Sequence, residues 1–317
     1  MLSMTRIFCI GELLIDFVAE NQGSDLSLAN EFTKKAGGAP ANVACAIAKL
    51  GGKSNFIGCV GKDPFGTFLL NVLNQENVDI SLAQRSKKFT TLAFVSIAED
   101  GERDFVFSRG ADKELKYDST IRNKFQGHMV HFGAATALLG GGLEEAYGHY
   151  LFDAITKDCF ISFDPNYRVD LWKDKEESFI KKSLTYVEKS HLCKFSLEEA
   201  LLLSGKETVE EACIKLHEVG TEIITVTLGK DGTYVSTPQS QKTIASIPVN
   251  PVDTTGAGDA FIGCLLYQIA KLDDPGSLAT NFELLCNMVG MANKAGAITT
   301  TQYGAIVALP SLEQLQA

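Results

Sequence analysis

The densest chemistry in this sequence lies late in the chain, in Asp253-Thr254-Thr255-Gly256-Ala257-Gly258-Asp259-Ala260-Phe261. Glycines just ahead of a helix let backbone N–H groups approach an anion, and the helix dipole adds positive potential there. Asp259 falls in the first turn of that helix. A carboxylate repels an anion bound beside it, so its presence needs a reason. One reading is N-terminal capping, where Asp is favoured. The other is a general base that takes a proton from a hydroxyl as it attacks a phosphoryl group. Two other phosphate motifs fail on spacing. Gly61-Lys62 is followed by Asp63 and Gly229-Lys230 by Asp231, so no P-loop is present. Gly256 and Gly258 begin no dinucleotide fingerprint, because Phe261 stands at its third glycine.

Asp16 is placed at the end of the first strand, and Gly38 and Asn42 lie in the Gly-rich turn that opens a helix. Taken alone, a turn-capping Asp and an Asn on a helix face account for the same residues. Arg168 follows Asp164-Pro165-Asn166 at the C-terminal end of a strand, where sites of α/β proteins form. Arg109 lies at the exit of a hairpin, where a solvated arginine is the simpler reading.

Short β runs alternate with helical runs, the rhythm of a parallel α/β protein. Strands are predicted over 6–10, 55–60, 90–97, 104–108, 129–132, 160–163, 223–227, 233–236 and 241–244. Helices are predicted over 39–50, 64–75, 143–156, 176–187, 198–204, 207–219, 259–272 and 282–295. The strands near 90–108 flank Glu99-Asp100-Gly101-Glu102, a turn-rich hairpin connection that interrupts the rhythm. Such an excursion from a rigid scaffold is either decoration or a flap over a site. No Pro- or Ser-rich linker divides the chain.

The 317 residues are 45% hydrophobic and carry a formal charge of −10, which suits a globular protein with a large core. The acidic balance argues against a nucleic-acid partner, whose phosphates need clustered Lys and Arg. It leaves room for a small anionic substrate held by a few local donors. The eight cysteines are scattered without a C-x-x-C, so buried free thiols are expected rather than disulfides or zinc. No signal peptide or membrane span is read, and a soluble reducing compartment, most simply the cytoplasm, is expected.

Several pieces occur together in one order: Gly11-Glu12-Leu13-Leu14-Ile15-Asp16-Phe17, Gly37-Gly38-Ala39-Pro40-Ala41-Asn42-Val43-Ala44, Gly61-Lys62-Asp63-Pro64-Phe65-Gly66, Asp164-Pro165-Asn166-Tyr167-Arg168, Thr227-Leu228-Gly229-Lys230-Asp231-Gly232 and residues 253–261. The chain thereby resembles the ribokinase-like (PfkB) carbohydrate kinases, most closely the fructokinases, nearly end to end. The resemblance implies a three-layer α/β/α sandwich, one kinase domain over 1–317, with a small β-sheet lid formed mainly by about 12–36 and 85–110. It implies ATP-dependent phosphorylation of a sugar primary hydroxyl, D-fructose to fructose 6-phosphate first, with a 2-dehydro-3-deoxygluconate kinase as the alternative. A non-catalytic sugar-binding regulator on the same fold is the reading from a different class.

The same resemblance assigns roles. Asp259 is the base, and Gly256, Ala257 and Gly258 form the anion hole. Asp16, Gly38, Asn42, Arg109 and Arg168 contact the sugar. Thr227, Gly229 and Gly232 lie along ATP, and Asn293 touches the adenine. Glu199 takes the Glu position of the family's N-x-x-E motif and orders the water shell of Mg²⁺, with Ser196 standing where the family has Asn. Asp253 and Thr255, with carbonyls of Thr299, Gln302 and Gly304, match a monovalent-cation (K⁺) site. The lid strands, with Phe94, Phe105 and Phe107, either form a homodimer surface or pack on their own domain.

Overall fold

The computed structural model describes residues 5–20, 26–97 and 103–317. The connection at Glu99-Asp100-Gly101-Glu102 and the side chain of Phe105 lie outside the described residues. The strands are β1 (Arg6–Ile10), β2 (Leu14–Ala19), β3 (Phe32–Gly37), β4 (Lys53–Ile57), β5 (Cys59–Gly61), β6 (Gln84–Ser86), β7 (Leu92–Ile97), β8 (Arg103–Ser108), β9 (Met129–Gly133), β10 (Phe160–Asp164), β11 (Leu192–Ser196), β12 (Ile223–Thr227), β13 (Thr233–Ser236) and β14 (Gln241–Ile244). The helices are α1 (Ala39–Lys49), α2 (Pro64–Gln75), α3 (Gly142–Thr156), α4 (Val169–Trp172), α5 (Glu176–Lys189), α6 (Leu197–Ser204), α7 (Val209–Val219), α8 (Ala257–Ile269), α9 (Phe282–Thr299) and α10 (Leu312–Gln316).

Eight strands form the main sheet in the order β14-β13-β12-β11-β10-β9-β1-β4. The pairs from β12 to β4 are parallel, and β13 and β14 close one edge antiparallel. Alternate side chains of a strand face opposite layers, so a sheet covered on both sides needs apolar residues at every position. On β1, Ile7 and Cys9 join the layer of α1, α8 and α9, while Phe8 and Ile10 join that of α3, α5, α6 and α7. The result is the three-layer α/β/α sandwich.

The second sheet runs β3-β2-β7-β8, with β2 and β7 parallel and the outer pairs antiparallel. Phe17 stacks on Phe94 at 5.4 Å, Phe32 meets Phe94 edge-on at 5.7 Å, and Phe65 of α2 meets Phe17 edge-on at 5.7 Å. Phe94 is therefore packed among the aromatics of its own sheet and α2.

Several boundaries differ from expectation. The predicted strand 55–60 is two strands, because Gly58 turns the chain from the main sheet into a short pairing of β5 with β6. A Cβ at Gly58 would lie 2.4 Å from the Gly11 carbonyl oxygen. The strands β2, β3 and β11 were not predicted. Asp16 sits within β2 rather than at the end of the first strand. Helix α8 starts at Ala257, two residues early, and α9 continues to Thr299. All eight cysteines are free, and all but Cys286 are buried. No described helix is long and apolar enough to cross a membrane.

Helices α1 and α8 touch at one glycine. A Cβ on Gly263 would lie 2.5 Å from the Cβ of Ala46 and 3.2 Å from the Val43 carbonyl oxygen. Overpacking of this kind costs about 1–3 kcal/mol. Gly263→Ala is expected to lower the unfolding free energy, read from urea denaturation, by that amount. Because α1 also carries Asn42, turnover should fall with it.

Candidate active site

The cleft opens where strand ends of the main sheet meet the small sheet, and encloses about 430 Å³. Glu12, Asn166, Ser196 and Thr227 line it at or just beyond the C-terminal ends of β1, β10, β11 and β12. This is the edge where parallel sheets of this kind present their loops. Leu14, Val18, Val95 and Phe107 form an apolar wall from the small sheet, interrupted by Asp16 and Lys35.

Helix α8 enters this cleft by its N-terminus. Gly256, its N-cap, has φ +79°, and a Cβ there would lie 2.7 Å from that of Ala305, so conformation and space both require glycine. Ala260 is the first residue whose N–H takes a regular helical partner, Gly256 O at 2.8 Å. The Ala257 N–H turns back to Thr254 O at 3.3 Å, which leaves Gly258 and Asp259 to offer the free donors of the first turn. Gly256 and Gly258 line the cleft and Ala257 does not.

Asp259 is the third residue of α8 and only 9% exposed. Its Oδ2 accepts from Asn42 Nδ2 at 2.8 Å. Burial is the main reason its pKa rises to about 6; the Asn42 hydrogen bond opposes this, the Asp164 carboxylate adds to it, and Lys194 and Arg168 oppose it. A carboxyl with that pKa is largely ionised at neutral pH yet remains a competent proton acceptor. Simple capping does not describe Asp259, whose recorded partner is a side chain from another helix. Asn42 keeps its Oδ1 buried and without a partner, an acceptor in reserve beside the base.

Gly38, the N-cap of α1, has φ +113°, and a Cβ there would lie 2.5 Å from the Glu12 carbonyl oxygen. The Asp16 carboxylate lies over Gly37, whose Cβ would fall 1.9 Å from Oδ2. Arg168 caps α4, its Nη1 donates to Tyr167 O at 2.9 Å, and its side chain reaches the cleft. Asn166 adopts φ +49° to make this bend.

Ser196 and Glu199 form a capping box at the start of α6. Ser196 N–H donates to Glu199 Oε2 at 2.7 Å, and Glu199 N–H donates to Ser196 Oγ at 3.2 Å. Tyr167 N–H donates to the other oxygen, Oε1, at 2.7 Å. Burial raises the Glu199 pKa, with Lys194 opposing and Asp164 reinforcing. Each carboxylate oxygen has one lone pair taken and one left, which fits holding water around a Mg²⁺–nucleotide.

Asp253 ties two loops together. Oδ1 accepts from Thr255 N–H at 2.9 Å and Thr255 Oγ1 at 2.5 Å, and Oδ2 accepts from Gly304 N–H at 2.8 Å. Asp253, Thr255 and Gly304 line the cleft, whereas Thr299 and Gln302 lie beyond its lining. Thr299 Oγ1 donates to Ala295 O, and Gln302 is exposed.

Four expected contacts are not brought into the cleft. Arg109 Nε and Nη2 both reach Asp112 Oδ2, at 2.8 and 2.7 Å, so the guanidinium is held in a buried ion pair rather than over a sugar or in solvent. Asn293 Oδ1 accepts from Thr233 Oγ1 at 2.6 Å, and its Nδ2 donates to Ile244 O and Ala245 O at 2.8 and 3.3 Å. Both ends of that amide are engaged in stitching α9 to β13 and β14. Gly232, at φ +98°, leaves no room for a Cβ, which would lie 2.1 Å from Ile244 O. Gly229, at φ +59°, faces open space. Thr227 lines the cleft, with Oγ1 donating to Phe195 O at 3.3 Å.

Several cleft residues have no role in the sequence reading, Lys35, Glu12 and Lys194 among them. Glu12 is buried, its Oε1 accepting from Ala39 N–H at 3.3 Å and its Oε2 unpartnered. Burial raises its pKa to about 7. Lys194 is buried on β11, with Nζ 3.2 Å from Asp164 Oδ2. A lysine inside the apolar run Leu192-Cys193-Lys194-Phe195 was the available signal.

A parallel sheet between two helical layers, a small sheet beside the cleft and a helix N-terminus holding a buried carboxylate define the ribokinase-like class. The chain belongs to the pfkB family of carbohydrate kinases: the pattern described as "pfkB family carbohydrate kinase" matches residues 4–312. It is 37% identical to probable fructokinase-4 of Arabidopsis thaliana, over 98% of this chain and 95% of that protein. With fructokinase-2 of Zea mays it shares 36%, over 98% and 92%. A Vibrio cholerae fructokinase double mutant, solved with fructose, ADP and potassium ion, superposes with TM-score 0.86 at 32% identity, covering 99% of this chain and 98% of that one. An ATP-bound fructokinase from Xylella fastidiosa gives TM-score 0.87 at 29% identity, covering 99% and 98%.

Asn293→Ala removes three hydrogen bonds and leaves the buried Thr233 hydroxyl and the carbonyls of Ile244 and Ala245 without these partners, at about 1–3 kcal/mol. The expected result is a lower melting temperature, with KM for ATP within about threefold of wild type. A selective rise in KM for ATP at unchanged stability would restore the adenine role.

Proposed function

We propose that the protein transfers the γ-phosphoryl group of ATP to the primary hydroxyl of D-fructose, giving fructose 6-phosphate and ADP. The observation that carries this is Asp259: a buried carboxyl with a pKa of about 6, at the open N-terminus of α8, in a cleft lined by hydroxyl-binding groups. The fructokinase relatives and the fructose-bound neighbour supply the choice of sugar.

The sugar lies between Asp16, Gly38, Asn42 and Arg168, under the apolar wall of the small sheet. Asp259 takes the hydroxyl proton while the hydroxyl oxygen forms its bond to Pγ. The bond from Pγ to the bridging oxygen breaks, and its electron pair leaves with ADP. The first-turn N–H groups of α8 stabilise the charge on the equatorial oxygens. Mg²⁺ bound with the nucleotide supplies charge neutralisation of the polyphosphate, and Glu199 holds part of its water shell. The small sheet acts as the lid, its apolar residues excluding water that would otherwise hydrolyse ATP. The Asp253 loop, with carbonyls of Thr299, Gln302 and Gly304, is the candidate K⁺ site, and its link to Gly256 would carry the cation's effect to the anion hole.

Turnover of ATP against a sugar panel containing fructose and 2-dehydro-3-deoxygluconate tests the reading. Fructose should stimulate ADP formation most; no stimulation by any sugar would leave a binding protein. Asp259→Asn should lower kcat by ~10²–10⁴, the usual contribution of a general base. Since the base must be ionised, kcat/KM should be flat above its pKa and fall about tenfold per unit below pH ~6. A profile flat to pH 4.5 would remove Asp259 from that role. Replacing K⁺ by Na⁺ should lower turnover, and equal rates would remove the cation site.

A further inference from the structure

We propose that Lys194 is a catalytic residue of this kinase, its ammonium meeting the phosphoryl group in transfer from the sheet side of the cleft. The inference rests on the phosphoryl-transfer reading above and adds to it a side-chain cation that the motif residues do not include.

Lys194 is 7% exposed, in the middle of β11, yet it lines the cleft. A buried lysine is costly unless its charge has a partner. Asp164 on the adjacent strand is that partner, at 3.2 Å. Burial works to lower the pKa of Lys194, but the carboxylates of Asp164, Glu199 and Asp259 outweigh it, so the ammonium stays charged. Removing the pair outright would relieve the cost of burying it, so the charge needs a use.

Its position supplies one. A Cβ built on Gly258 would lie 3.0 Å from Lys194 Nζ and 3.5 Å from its Cε. Gly258 is the second residue of α8, with its N–H among the free donors of the first turn. The ammonium therefore stands beside the helix end that receives the anion, and Gly258 is the residue that admits it. An anion seated there meets backbone dipoles from the helix and a full positive charge from β11. Fixed charges in a site shielded from water act strongly on developing negative charge and need no reorganisation. The same charge also offsets repulsion between Asp259 and the incoming phosphate. Lys194 keeps its proton throughout; the bonds made and broken are those given above.

A structural role, neutralising Asp164, is the competing explanation, and single variants do not separate the two because Lys194→Met strands a buried carboxylate. The double variant Lys194→Met/Asp164→Asn removes both charges together. The expected result is a folded protein, by circular dichroism and melting temperature, whose kcat is ~100-fold below wild type, the usual loss of one anion-hole donor, with KM for fructose within about threefold. Affinity for ADP with aluminium fluoride, a mimic of the group in flight, should fall by a similar factor and more than affinity for ADP alone. Recovery of kcat and of fluoroaluminate binding to within threefold of wild type would overturn the proposal and leave Lys194 as the neutraliser of Asp164. The fluoroaluminate arm needs ADP and no identified sugar. It therefore reads Lys194 even if fructose is not turned over, and wild-type turnover with fructose reports on the functional assignment separately.

Discussion

In the proposed reaction a carboxylate and an incoming phosphate share the positive end of helix α8. Both are drawn there by the same free N–H groups and the same dipole, and each repels the other. The site resolves this conflict by burial and by placement. Burial raises the pKa of Asp259 to about 6, so the group is more basic than a surface carboxylate and better matched to taking a hydroxyl proton. Asn42 holds it by Oδ2 from another helix, and so turns it away from capping its own turn. The N–H groups that a capping Asp would have consumed stay available to the phosphate.

This arrangement depends on close approach. The hydrogen bond between Asn42 and Asp259 spans two helices, α1 and α8, that can lie side by side because Gly263 offers no Cβ to Ala46. Gly256 makes room for Ala305, and Gly258 makes room for Lys194. Glycine is usually a weak helix residue, costing about 1 kcal/mol relative to Ala. Here two of the glycines lie within α8, so some intrinsic helicity is given up for the approach of α1 and of a charged side chain. The compensation lies in the packing of α8, nearly all of whose later residues are buried.

Local features were legible in the sequence and cross-strand ones were not. Gly256-Ala257-Gly258-Asp259 is contiguous, so a candidate anion site, with a carboxylate that is either a base or a helix cap, could be read from four adjacent residues. The central strands could be read from unbroken apolar runs, since both faces of the sheet are covered. β3 escaped because Thr33-Lys34-Lys35 carries no alternation of apolar and polar residues. β11 escaped because Lys194 interrupts its apolar run, and that interruption was itself the functional signal. The ion pair of Lys194 with Asp164 joins residues 30 apart that only strand pairing brings together. Asn293 and Arg109 lie outside the cleft lining for a different reason. A motif position says where a side chain starts, whereas the acceptors around it decide where it points, and Ile244 O and Asp112 had already taken these two.

The net charge of −10 describes the solvated surface and says little about this cleft. Charges more than about 10 Å from the site are screened at ordinary ionic strength, whereas buried ones are not. Of the buried groups that line the cleft, Glu12, Glu199, Asp253 and Asp259 are acidic against Lys194, so the buried side chains are net acidic. A polyanion entering such a site needs cations that arrive with it, and in the proposed reaction Mg²⁺ accompanying ATP would meet that need. Burial is the main reason the pKa values of Glu12 and Asp259 are raised, with the carboxylates of Asp112 and Asp164 respectively adding to it: without ligand, part of the negative charge is relieved by protonation. Acidic side chains in the cleft thus favour the metal-bound nucleotide over the free one, so that the charge balance which seems to oppose a phosphate also selects the form in which it is delivered.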